Sequence, residues 1–117
     1  MKLVIVVSIL ALSNYAHAAR FDISTEIGKI RHHELTTELA PSWQGSAWFT
    51  LKNPDLNGVS PNCPKDFSEY TLTFSASDKN LLSMLLSAKM AGKTVTVTFD
   101  DTFKINTKCK LQYFTID

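Results

Sequence analysis

Residues 70–99 restrict what this chain can fold into more than any other stretch. Tyr70-Thr71-Leu72-Thr73-Phe74 and Thr94-Val95-Thr96-Val97-Thr98-Phe99 each alternate an apolar residue with threonine, the period of a strand with one face on a core. The segment between them, residues 78–91, is too long and too rich in helix formers to be a strand. Its ends carry stop and start signals. Ser77 can cap the first free amides, Asp78 places negative charge at the positive end of the helix dipole, and Gly92 can take the left-handed conformation that ends a helix. A strand, a capped helix and a second strand are therefore expected in immediate succession.

Upstream, Lys2 precedes an apolar run over residues 3–12, and Ala16-His17-Ala18 offers the small residues of a signal-peptidase site. The run is too short to span a bilayer. Residues 1–18 are expected to be a signal peptide and residues 19–117 a single domain, placed in the periplasm or outside the cell. The whole chain has 12 basic and 11 acidic side chains, and removal of Lys2 brings the mature chain to balance. A neutral chain lacks the basic stripe that nucleic acid requires and the excess charge that binds anionic lipid. Cys63 and Cys109 are the two cysteines, and in an oxidising compartment one disulfide is the economical expectation. It would close a loop of about 45 residues and contribute about 4 kcal/mol in the chain-entropy account.

The remaining mature chain is read in order. Residues 21–26 form a lead-in without clear period, and residues 28–39 read as a long, mostly polar first strand ended by Pro41. In residues 46–52, Ala47, Phe49 and Leu51 share one face and Trp48 and Thr50 the other. Pro54, Gly58, Pro61 and Pro64 make residues 53–66 a loop. Asp100-Asp101-Thr102 reads as a turn, and residues 108–116 as a closing strand with Cys109, Leu111 and Tyr113 on one face. The expected class is mainly β with one helix (α+β): a five-stranded OB-fold-like barrel with the helix between strands three and four and one disulfide. Element order alone leaves other α+β arrangements open.

The run Leu81-Leu82-Ser83-Met84-Leu85-Leu86-Ser87-Ala88-Lys89-Met90-Ala91-Gly92-Lys93-Thr94-Val95-Thr96-Val97, the two cysteines and Gly28-Lys29-Ile30 together resemble small secreted bacterial proteins. These are similar to the OB-fold B subunits of AB5 toxins, of the subtilase cytotoxin and typhoid toxin type. The resemblance implies a ring of five that binds cell-surface sugars and delivers a catalytic A subunit. Toxin-type members carry a serine with an aromatic neighbour before the first strand. Ser24 and Phe21 are its nearest counterparts here, at a different spacing, so no sugar specificity carries over. Assembly also has support from the helix itself. Between residues 81 and 91, eight of eleven side chains are apolar, a wide stripe for one small core, which makes Leu81, Met84, Leu85 and Ala88 candidates for an oligomer interface.

Residues for catalysis are scarce. His32 and His33 adjoin in a strand and so point to opposite faces, Asp100-Asp101 reads as turn chemistry, and neither a phosphate loop nor a zinc signature is present. No enzyme activity, metal or cofactor is expected. Trp43, Gln44, Ser46 and Trp48 near one hairpin, with Asn53 and Asp55 beyond, offer the aromatic faces and polar edges that a sugar ring requires. The tryptophans read first as packing, Trp48 across the sheet and Trp43 over the barrel mouth, with sugar binding as the alternative. The expected function is that of a secreted, glycan-binding, B-subunit-like protein forming a ring of five, with a host glycan or surface protein as ligand. The alternative is an exported protein-binding module without a toxin partner.

Overall fold

The two threonine-spaced strands and the segment between them form as their pattern dictates. A computed structural model of the chain describes residues 20–34 and 36–117, so the expected signal peptide lies outside the described residues. The strands are β1 (Arg20–His32), β2 (Ser46–Asp55), β3 (Lys65–Asp66), β4 (Glu69–Ser75), β5 (Val95–Ile105) and β6 (Lys108–Ile116), and the helix is α1 (Lys79–Met90). Tyr70, Leu72 and Phe74 of β4 meet Val95, Val97 and Phe99 of β5 in the buried core. The helix cap is Asp78, whose carboxylate accepts from the Leu81 amide at 3.0 Å, while the Ser77 hydroxyl pairs with that of Ser75. At the other end Gly92 (φ 63°) is left-handed. Its amide bonds to Lys89 O and that of Lys93 to Ala88 O, the paired bonds of a Schellman stop.

Because β3 adds a two-residue strand ahead of β4, the helix falls between the fourth and fifth strands, not the third and fourth. β3 sits inside the stretch expected as loop. It pairs with the start of β4 through a two-residue turn, Phe67 (φ 55°) and Ser68 (φ 64°). The loop is also shorter than expected at its start, because β2 continues to Asp55. Cys63 and Cys109 are joined as expected, with Cα atoms 5.6 Å apart, tying the loop to β6.

The larger strands pair in a closed circuit, β1-β2-β4-β6-β5 and back to β1. Every pairing in it is antiparallel except β4 with β6, which are parallel and meet at Leu72↔Cys109 and Thr73↔Lys110. β1 serves two partners: residues 20–25 pair with β5, and residues 24–32 pair with β2. The stretch expected as a lead-in is therefore strand, and the strand expected to reach residue 39 ends at His32. A change of phase hides the pattern. Ile23, Thr25 and Ile27 are buried at odd positions, the register then slips between Ile27 and Ile30, and Ile30 turns to the core from an even one. Gly28 sits in that slip, where an added Cβ would lie 2.3 Å from Thr50 Oγ1.

β5 and β6 slip too. Asp100-Asp101-Thr102 does make turn chemistry, since Asp100 Oδ1 accepts from the Thr102 amide at 2.8 Å. It does so within a strand, as part of a bulge between Phe99↔Leu111 and Lys104↔Cys109. A second slip between Thr98↔Tyr113 and Phe99↔Leu111 leaves Gln112 unmatched. Cys109 and Leu111 stay buried, but Tyr113, expected beside them, is turned out to solvent.

Candidate functional site

Two aromatic regions lie outside the core. The first is the outer face of β1 and β2, where Arg31↔Trp48 is a register pair and the Arg31 guanidinium lies 5.1 Å from the indole centroid. Phe67, held over this face by the β3–β4 turn, stands 6.3 Å from Trp48, and Lys29 Nζ stands 4.2 Å over Phe67. Trp48 is 6% exposed, so this ring is covered. Trp43 ends a short 3-10 turn (Pro41–Trp43) and stacks on His33 at 5.3 Å. Gln44 donates to Thr37 O, and the Ser46 carbonyl accepts from the His33 amide.

Beneath the rings the polar groups are paired. Thr50 Oγ1 accepts from the Lys29 amide at 2.7 Å and donates to Glu69 at 2.8 Å. Lys108 Nζ pairs with Asp66 at 2.8 Å, and Thr71 donates to the same carboxylate. The hydrogen bond from Lys108, helped by that from Thr71, holds the Asp66 carboxyl below the usual range against the opposing effect of partial burial. This face is a second packed layer, partly polar.

The other expected ligand residues are apart from it. Asn53 donates to Glu26, and Asp55 accepts from the Asn57 amide, both at the far end of β2, roughly 23 and 30 Å along the strand from Ser46. The helix residues divide. Leu85 and Ala88 are core, and Leu81 packs against it, which leaves Met84, with Leu86 and Met90, facing out. The helix thus serves its own chain with three of the four side chains expected at an interface, because the circuit of strands needs that much apolar surface at its end. His32 and His33 take separate partners, Ala76 O and Ser46 O, and among the described residues no three His, Cys, Asp or Glu side chains converge on a metal position.

The second region is open. The bulge in β5 sends Phe103 outward and the slip at Gln112 sends Tyr113 outward, so that two strand irregularities build one cleft of about 210 Å³. Phe103 is 58% exposed and Tyr113 61%. Arg20, Asp100 and Gln112 line the same cleft, with the Arg20 guanidinium 5.6 Å from the Tyr113 centroid. A relay fixes the arginine: Thr98 Oγ1 donates to Asp22, and Asp22 takes Arg20 Nε at 3.2 Å and Nη2 at 3.3 Å. The Thr98 bond, then that of Arg20, keeps the Asp22 carboxyl below its usual range and therefore ionised. Apolar ring faces beside fixed donors and acceptors can hold a flat, hydroxyl-edged ring. Sequence periodicity missed Tyr113 because it assumed an unbroken strand. The turn signal of Asp100-Asp101-Thr102 inside a strand was the available clue to the bulge that exposes Phe103. No known protein family, curated protein or solved structure matches this chain.

Proposed function

We propose that the chain is an exported, non-catalytic carbohydrate-binding protein on an OB-fold, and that the cleft of Phe103 and Tyr113 takes the sugar. The observation that carries it is the exposure of both rings next to a guanidinium, a carboxylate and an amide. Sugar rings offer an apolar face of C–H groups and a polar rim, and this cleft has the counterpart of each. The circuit β1-β2-β4-β6-β5, closed through a parallel contact with one helix inserted, fits the small five-stranded barrel that recurs in oligosaccharide binding. The disulfide suits an oxidising compartment.

The resemblance offers a larger form of the same function, a B subunit in a ring of five delivering a catalytic subunit. Leu85 and Ala88 are spent on the chain's own core, so the geometry favours the binding module ahead of the ring. The test is a glycan array probed with the signal-cleaved, disulfide-intact protein. Wild type should bind a defined set of glycans, Tyr113→Ala should lose them and Trp43→Ala should keep them. A wild-type protein that binds none overturns the function, and a Tyr113→Ala protein that still binds moves the site off the cleft.

A further inference from the structure

The aromatic cleft does not end at Tyr113. Gln112, which the slip between β5 and β6 leaves unmatched, lines that cleft on one side and a larger groove on the other. The groove, of about 480 Å³, lies between β6 and α1. It opens because β4 pairs with β6 only at Leu72↔Cys109 and Thr73↔Lys110, after which α1 and not a strand flanks β6 on that side. Its lining is mixed. Leu81, Met84 and Phe114 offer apolar surface, and Asn80, Lys110 and Gln112 are exposed among them. Asp78 and Ser75 are there as well but are engaged, Asp78 as the helix cap and Ser75 with Ser77. The cleft, about 210 Å³, is smaller than the roughly 300–1,000 Å³ of an ordinary ligand pocket, while cleft and groove together fall well inside that range. Charge restricts the ligand further. In the cleft Arg20 is held by Asp22 and Asp100 adds a carboxylate, and in the groove Lys110 is set against Asp78. The continuous surface thus has no surplus of positive charge with which to hold an acidic group.

We infer that cleft and groove form one extended site for an uncharged oligosaccharide of three or more units, with one unit on Phe103 and Tyr113 and the next crossing Gln112 to lie between β6 and α1. The inference rests on the sugar reading of the cleft. A chain of sugars presents at each unit what the first presents, an apolar face and a hydroxyl rim. The groove repeats the cleft's answer, with Met84 and Phe114 for the face and Asn80 and Lys110 for the rim. Gln112 is exposed at the junction, and its side-chain amide can donate to one unit and accept from the next. Because a second unit tethered to the first meets the groove at high effective concentration, affinity should climb with chain length until the groove is full.

The test is calorimetric titration of the signal-cleaved, disulfide-intact protein with chito-, cello-, malto- and galacto-oligosaccharides of increasing length from the single sugar, and with oligogalacturonides of the same lengths. In at least one neutral series the affinity should rise roughly tenfold or more between one unit and three, then level, and should exceed that for every oligogalacturonide. Asn80→Ala with Lys110→Ala, both at exposed positions, should remove most of that rise and leave the affinity for a single unit unchanged, whereas Tyr113→Ala should weaken every length. Equal affinity for one unit and for three overturns the inference and leaves the sugar reading standing. An undiminished rise in the double variant, wild-type affinities in Tyr113→Ala, or tighter binding of an oligogalacturonide overturns it as well. Should the double variant melt early, Lys110→Ala alone decides in the same way. Binding of no member of any series overturns the extended site, and the sugar reading itself falls only if the wider glycan array is blank too.

Discussion

The two aromatic regions of this protein are made from similar residues and do opposite things. Around Trp48, an arginine, a phenylalanine and hydrogen-bonded threonines close over the ring. Around Tyr113, an arginine and a phenylalanine leave the rings in water. The difference lies in the backbone. Trp48 sits in an uninterrupted register between Arg31 and Thr73, with a hairpin folded above it, whereas Phe103 and Tyr113 sit where register is lost. A tryptophan with polar neighbours is thus no guide to a binding surface unless the strand carrying it lets the ring out.

Five substitutions test this contrast, from largest to smallest effect on stability. Trp48→Ala should cost about 3–5 kcal/mol in denaturant unfolding, as for a buried aromatic. A loss below about 1 kcal/mol would mean that the covering layer is loose and the contrast false. Gly28→Ala should cost about 1–3 kcal/mol, because the new methyl meets Thr50 Oγ1 and Glu69 in the slip that sets the phase of β1. An unchanged midpoint would show that the slip tolerates a side chain.

The third change concerns acid. Lys108 lowers the folded-state proton affinity of Asp66 relative to the unfolded chain, so its contribution is complete above about pH 4 and fades as the pH falls through the folded-state value. Asp66→Asn should therefore flatten the acid limb of the stability profile and leave its slope near neutrality alone. Identical acid limbs would remove the ion pair from the account of the packed layer. Last, Phe103→Ala and Tyr113→Ala should change unfolding free energy by no more than about 0.5 kcal/mol. A larger loss from either would make the cleft part of the packing, and the two regions would no longer differ in kind.

Much of the architecture was legible in the chain. The alternation in residues 70–74 and 94–99, the Gly92 stop and the isolated pair of cysteines each have a local or compositional cause, and each is found as expected. β1 was legible only in part, because its phase changes at Gly28 for the sake of Thr50, a residue on another strand. β3 was hidden among prolines, and its turn places phenylalanine and serine where asparagine and glycine are usual. Of the cleft only the turn signal of Asp100-Asp101-Thr102 was legible, since Phe103 and Tyr113 owe their outward aim to how β5 and β6 align with each other. Of the expected ligand residues, Trp48 is covered, Trp43 stacks on His33, Gln44 is exposed and bonded to Thr37 O, and Asn53 and Asp55 lie at the far end of β2.

Cys109 stands opposite Leu72 at the short parallel seam that completes the circuit of strands. At this seam the last strand is held by that brief contact, by the bond from Thr73 Oγ1 to Cys109 O and by the ion pair of Lys108 with Asp66. The disulfide adds a latch of another kind, a covalent clasp from this strand to the loop ahead of β3, so that closing the circuit also pins the connection between β2 and β3.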